Sequence, residues 1–210
     1  MPAERVHLVR HGEVENPDGV LYGRLEGFGL SERGRLMARA AAVSLTGHDI
    51  RAVVASPLQR TQESAAPWTE LFGAELGLDP RLIEPTNRFE GRNLRRELRW
   101  RPQDWPFLVN PWRPSWGEAF VSVQGRMMAA IADHWNQADG GEVVLVSHQM
   151  PIWMVARTVA RKPLSHNPSK RRCALSSITT LERRGLDFVE VSYSEPAAEL
   201  LSGAIDTGAV

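Results

Sequence analysis

The sequence predicts an α/β fold with its strands in one parallel sheet, and two observations carry that expectation. Val6–Val9 and Val143–Val146 are short, largely apolar runs, rich in β-branched residues, that break off on the polar tips Arg10-His11-Gly12 and Ser147-His148. Runs this short suit strands buried on both faces better than helices. Further strand-like runs alternate with stretches whose apolar residues recur at helical spacing. Open α/β sheets hold ligands at the carboxyl ends of their strands, so the two histidine tips mark one expected site.

Arg5–Arg10 is the first strand, and Gly12 behind His11 lets backbone approach an anion closely. Asn16-Pro17-Asp18-Gly19 is turn chemistry. Leu21–Gly29 carries too many glycines for a regular element, so it reads as a loop able to wrap a site, with Arg24 placed to line or cover it. Ser31 and Glu32 open a helix over about 31–45, with Leu36, Ala40 and Val43 at helical spacing and Gly47 past its end. Ile50–Ala55 is a second strand. Ser56 is expected to cap, and Pro57 to open, a helix whose first turn holds Arg60. The amino terminus of that helix adds partial positive charge beside Arg10 and His11.

Leu76–Glu84 reads as a weaker strand broken by Pro80. From 92 to 116, arginines and prolines mix with four of the seven tryptophans in no clear period. A surface hairpin held by cation–π contacts and a lid over the site fit this excursion equally well. Gly117-Glu118 opens a helix carrying Val121, Met128, Ile131 and Trp135. A helix from Pro151 to about Ala160 and a basic loop through Arg172 follow the strand Glu142–Ser147. Ala174–Leu181 and Phe188–Tyr193 alternate as a closing hairpin at the side of the sheet. The expected organisation is a single domain over 1–195 with the excursion at about 92–116, and a loosely held tail over 196–210.

The chain has 210 residues, 42% of them hydrophobic, enough for one domain with a sizeable core. Lys plus Arg equals Asp plus Glu at 25 each, so no global field draws nucleic acid or an acidic membrane. A single cysteine, Cys173, excludes an internal disulfide, and no Cys/His spacing matches a structural zinc site. No signal-peptide pattern opens the chain, and no stretch approaches the ~18 apolar residues of a membrane span. A cytoplasmic protein without metal or cofactor is expected, with neither nucleic acid nor membrane as partner. A homodimer is compatible with the sequence.

Leu8-Val9-Arg10-His11-Gly12-Glu13, Ser56-Pro57-Leu58-Gln59-Arg60-Thr61, Leu82-Ile83-Glu84, Gly117-Glu118 and Ser147-His148 together resemble the histidine phosphatase superfamily, also called phosphoglycerate-mutase-like. The resemblance implies a three-layer α/β/α sandwich around a mostly parallel central sheet, and phosphoryl transfer through a phosphohistidine. It makes His11 the nucleophile, has Arg10, Arg60 and His148 hold the phosphoryl oxygens, and has Glu84 protonate the leaving oxygen. The chemistry agrees: guanidinium forks and imidazole N–H donors match the spread charge of a phosphoryl group, and no metal is required.

The chain departs from the pattern in three places. Gln149 stands where the family usually shows Gly after the second histidine, and enters as a candidate phosphate contact. Asn16, the candidate for a phosphate-contacting Asn, falls one residue early. The stretch after Glu84 is one residue shorter than usual, so either Glu84 or Glu90 is the acid. Glu13 and Glu118 are candidates to orient the catalytic imidazoles, although Glu118 equally suits a helix cap. His7, His48, His134 and His166 read as structural, and Cys173 as a packing residue. Lys170-Arg171-Arg172 reads as a solvated run or as a recogniser of a second anion on the substrate. The leading expectation is a phosphomonoester hydrolase for a small phosphorylated metabolite, a small-molecule phosphate ester. The alternatives are a phosphoglycerate mutase and a catalytically silent phosphate-binding regulator.

Overall fold

The computed structural model describes residues 1–93, 97 and 117–206. Most of the Arg/Trp/Pro-rich excursion, and with it the choice between hairpin and lid, lies outside the described residues. Six strands, β1 (Arg5–Arg10), β2 (Ile50–Ala55), β3 (Leu76–Leu78), β4 (Glu142–Ser147), β5 (Ile178–Arg184) and β6 (Asp187–Ser194), form one sheet in the order β3-β2-β4-β1-β5-β6. β3, β2, β4 and β1 run parallel; β5 joins β1 antiparallel, and β6 joins β5 antiparallel. Among the described residues the α-helices of more than one turn are α1 (Glu32–Ser44), α2 (Gln59–Phe72), α3 (Phe120–Gln137) and α4 (Gln149–Val159). Among the described residues no helix is long and apolar enough to cross a membrane.

The central strand explains the layering. Along β4, Val143 and Leu145 face a cluster built with Val123, Met127 and Ile131 of α3 and Ile152 and Met154 of α4. Val144 and Val146 face the other side, against Ala41 and Ala42 of α1 and Ala65 and Trp68 of α2. Period-two alternation thus fills both faces, as a doubly covered strand requires. Each fully buried Val or Leu contributes about 1.5–3 kcal/mol, against about 0–1 for an exposed ion pair, so apolar burial and not surface charge places the sheet.

Several boundaries differ from expectation: α3 starts at Phe120 and not at Gly117-Glu118, and the closing hairpin is Ile178–Arg184 with Asp187–Ser194, shifted from Ala174–Leu181 and Phe188–Tyr193. The weak strand before Glu84 is only Leu76–Leu78, because Pro80 opens a short 3-10 turn, Pro80–Leu82, capped by the Asp79 carboxylate. α2 starts at Gln59 with Leu58 as its cap residue, and Ser56 does not cap it; the Thr61 hydroxyl donates to the Ser56 carbonyl instead. α4 starts at Gln149 and not at Pro151, since a proline in the first turn removes an N–H that has no helical partner there. The tail expected to be loose is held through Asp206: Ala197, Leu200, Leu201 and Ala204 pack with Met37 and Leu175.

Candidate active site

Three strand tips end together. Arg10 lies opposite Ser147 in the β1–β4 register, the His11 N–H donates to the Ser147 carbonyl (3.1 Å), and the Ser56 N–H donates to the Val146 carbonyl (3.0 Å). α2 and α4 begin directly after the tips of β2 and β4, which brings two positive helix ends to this edge. The fourth side of the site comes from the segment after β3: the Ser147 hydroxyl donates to the Leu82 carbonyl (2.7 Å) and Arg24 Nε to the Glu84 carbonyl (2.6 Å), fixing Glu84. Arg10, His11, Arg60, Glu84 and His148 are all buried.

His11 is oriented by its own loop. Its Nδ1 lies 2.8 Å from the Gly12 carbonyl, which can only accept, so Nδ1 carries the proton and Nε2 keeps its lone pair. The Gly12 N–H donates to Ser64 Oγ on α2 (3.1 Å). A side chain at Gly12 would strike the Gly34 carbonyl, and one at Gly34 would strike the Glu13 carbonyl, so the tip loop and α1 meet backbone to backbone. Burial, then the charges of Arg60 and Arg10, push the His11 pKa well below the ordinary imidazole value. The ring is neutral at neutral pH.

His148 lies edge-on to His11, ring centroids 5.3 Å apart, and its Nε2 is 2.9 Å from Ser56 Oγ. Its Nδ1 has no hydrogen-bond partner and sits 3.7 Å from Glu84 Oε2. Burial and Arg60 lower its pKa well below the usual value as well. Glu84 shifts the other way: burial raises its pKa, and Arg60 and Arg171 only partly offset it. Glu84 Oε1 and the Nε atoms of Arg10 and Arg60 are also buried without partners. Arg60 donates to the Gly23 carbonyl (2.6 Å) and lies 4.7 Å from the Tyr22 ring centre. Arg10 donates to the Cys173 carbonyl (2.6 Å) and pairs with Asp206 through both terminal nitrogens. Unpaired donors facing a buried carboxyl and two neutral imidazoles form a cradle suited to an anion.

Other sequence candidates sit elsewhere. Both ends of the Asn16 amide bond to the Val20 backbone, closing a turn, so Asn16 is not brought to the arginines. Glu13 accepts from the Ser31 hydroxyl (2.5 Å) and the Ile205 N–H (2.7 Å) and touches neither imidazole. Glu118 is neither an imidazole partner nor a cap; it pairs with Arg126 and Arg24. Glu90 Oε1 accepts the N–H groups of Arg24 and Asn87 (3.1 Å each), a structural clasp that leaves Glu84 as the carboxyl at the site. Gln149 meets Arg171. Sequence reasoning missed Ser56 as the partner of His148, Tyr22 under Arg60, and Arg126, whose charge adds to the fall of the His148 pKa and opposes, without reversing, the rise that burial gives Glu84.

Among the described residues, His7, His48 and Glu142 are the group whose ligand atoms lie close enough to hold a metal ion, all within 4.8 Å of one another. They lie around the amino end of β4, away from the tips. His7 and His48 each contact Glu142 Oε2 (2.8 and 2.7 Å), Arg5 takes Oε1, and His7 Nδ1 contacts Thr180 Oγ1, a network already closed by hydrogen bonds.

Comparison with known proteins gives the family and the fold. The family described as Histidine phosphatase superfamily (branch 1) matches residues 6–195. Uncharacterized protein Rv0525 of Mycobacterium tuberculosis is 49% identical over 201 residues, 94% of this chain and 100% of that protein. Phosphoserine phosphatase 1 of Hydrogenobacter thermophilus is 32% identical over 69% of this chain and 71% of its own length. The solved structure of Bacillus stearothermophilus YhfR shares the fold, with a TM-score of 0.78 at 24% identity over 89% of this chain and 95% of that one. The match over nearly the whole chain, the shared fold and the clustered arginines and histidines lead to one conclusion: this chain belongs to the histidine phosphatase superfamily.

Proposed function

We propose that the chain is a metal-independent phosphomonoesterase that hydrolyses a small phosphorylated metabolite in the cytoplasm through a phosphohistidine on His11. The carrying observation is the His11 tautomer: Nδ1 is tied to the Gly12 carbonyl, so the Nε2 lone pair is free for attack between two buried guanidiniums. In the first step Nε2 bonds to phosphorus, the ester P–O bond breaks, and the leaving oxygen takes the proton of Glu84. In the second, water attacks the phosphohistidine, the P–N bond breaks, and Glu84 recovers a proton from the water. Arg10, Arg60 and His148 Nδ1 stabilise the equatorial oxygens, the role that a metal ion plays in other phosphoryl transfers. We favour hydrolysis over a mutase because, by resemblance, dedicated mutases follow the acid with a Glu-Arg-His-Tyr-Gly stretch and Pro85-Thr86-Asn87-Arg88-Phe89 follows Glu84 here; relatives named as phosphatases stand beside relatives named as probable phosphoglycerate mutases.

The test is trapping with labelled substrate in acid-quenched and base-quenched samples. A phosphoramidate survives base and is lost in acid, so a base-stable label absent from His11→Ala is expected. Label that persists in His11→Ala would overturn the reading. EDTA is expected to leave the rate unchanged, and a loss restored by magnesium or zinc would remove the metal-independent mechanism.

A further inference from the structure

Gln149, the residue that breaks the family pattern, has a partner. Its Oε1 accepts from Arg171 Nη1 at 3.3 Å, and Arg171 Nε donates to His166 Nε2 at 2.9 Å. His166 Nδ1 bonds the Leu164 carbonyl (2.8 Å), which leaves Nε2 as the acceptor that Arg171 needs. The imidazole is also wedged beside Phe120 and Trp153, with ring centroids 5.3 and 6.1 Å away. Two neutral acceptors thus hold one guanidinium in place.

That guanidinium has no carboxylate within ion-pair distance among the described residues, and its Nη2 is buried without a hydrogen-bond partner. Its place is fixed from both sides of the site: Gln149 directly follows His148, and Cys173, two residues beyond Arg171, accepts from Arg10. Burial lowers the Arg171 pKa to about 10, with Glu84 the largest opposing charge. Arg171 as a whole is half-buried, but its inner nitrogen Nη2 is shut away from water, and a cationic donor left without an acceptor there is costly until an anion reaches it.

We propose that Arg171, positioned by Gln149 and His166, is a subsite for a second anionic group of the substrate, on the Glu84 side of the phosphoryl cradle. The inference rests on the phosphatase reading and narrows it to phosphomonoesters carrying a carboxylate or a second phosphate within a few bonds of the ester oxygen. Planar guanidinium donors suit either anion, and the neutral oxygens of alcohols and sugars gain less from an unpaired Nη2 than a charged oxygen does.

The experiment compares kcat/KM for three alkyl phosphates of equal chain length, ending in a carboxylate, a phosphate or a neutral amide, in the wild type, Arg171→Met, Arg171→Lys and Gln149→Gly, with folding checked by circular dichroism. The wild type is expected to prefer at least one anionic ester over the amide by about tenfold or more, and which one identifies the anion. Arg171→Met brings that ratio toward one and Arg171→Lys restores part of it. Gln149→Gly lowers it through KM and not kcat. The inhibition constants of phosphonoacetate and phosphonoacetamide give the same comparison without turnover. A ratio unchanged in Arg171→Met overturns the subsite while leaving the phosphatase intact, as does a wild type that hydrolyses all three esters equally. Absence of hydrolysis with every ester removes the phosphatase reading itself.

Discussion

The carboxylate of Asp206 closes on both terminal nitrogens of Arg10, so a tail residue occupies the guanidinium at the tip of β1. The Asp206 side chain is 37% exposed and that of Arg10 not at all, so the carboxylate can leave while the arginine stays. A phosphoryl group that reaches Arg10 through those nitrogens must displace it. Asp206→Asn keeps the shape and removes the charge. Vanadate is expected to inhibit this variant about tenfold more tightly, the effect of losing one charge-assisted competitor. Weaker inhibition would show instead that the carboxylate holds Arg10 in its working orientation.

Glu84 and Glu90 are separable by leaving group. Glu84→Gln is expected to slow alkyl phosphates by roughly 10²–10⁴-fold, the usual worth of a general acid, and to affect a nitrophenyl phosphate far less. Glu90→Gln weakens the clasp on the Arg24 and Asn87 N–H groups, so its signature is a lower melting temperature with no dependence on the leaving group. A leaving-group effect in Glu90→Gln alone would reverse the assignment.

The two key titrations frame a pH profile. The lowered His11 pKa places the acid limb of kcat/KM well below 6.5, and the raised Glu84 pKa moves the basic limb above the ordinary carboxylate value. Arg60 disfavours the imidazolium of His11. Removing that cation in Arg60→Met therefore raises the His11 pKa and moves the acid limb upward, along with a loss of rate. An acid limb that stays in place would mean that burial and Arg10 hold the imidazole neutral without Arg60.

Glu142 governs stability at acid pH. Burial works to raise its pKa, but the hydrogen bonds from His7 and His48 prevail and bring it down to about 2. A depressed carboxylate stabilises the fold fully above its unfolded value, near 4.5, and that contribution is lost as pH falls from there toward 2. Urea unfolding of Glu142→Gln is expected to show a reduced midpoint at pH 7 and a flatter decline between pH 5 and 2 than the wild type. Parallel curves would place the acid sensitivity elsewhere, Asp79 being the next such carboxylate.

The sheet and the main cradle were legible because their signals are local. Ile50–Ala55 and Glu142–Ser147 keep their bounds, the α1 cap is Ser31, and Arg10, His11, Arg60, Glu84 and His148 meet where the strand ends direct them. What escaped is contact between distant segments. Ser56 reaches His148 across 92 positions, and Asp206 reaches Arg10 across 196. A serine before a proline reads as a helix cap until the neighbouring strand is known to bring an imidazole beside it. Glu13 and Glu118 stand next to motif residues in sequence, but their side chains turn to Ser31 and Arg126. Adjacency along the chain says nothing about which way a carboxylate points.

The meeting of Gly12 and Gly34 bears on how such a protein can change over generations. Each glycine faces a carbonyl oxygen of the other segment, so the seat of His11 depends on two main chains and on no rotamer. A methyl group at either position collides with backbone, and no second substitution nearby can make room, because there is no side chain there to shorten. Arg171 and Gln149, which hold each other by side chains alone, lie under no such lock. A lineage can therefore alter what the protein accepts by exchanging that pair, while the glycines stay fixed whatever the substrate becomes.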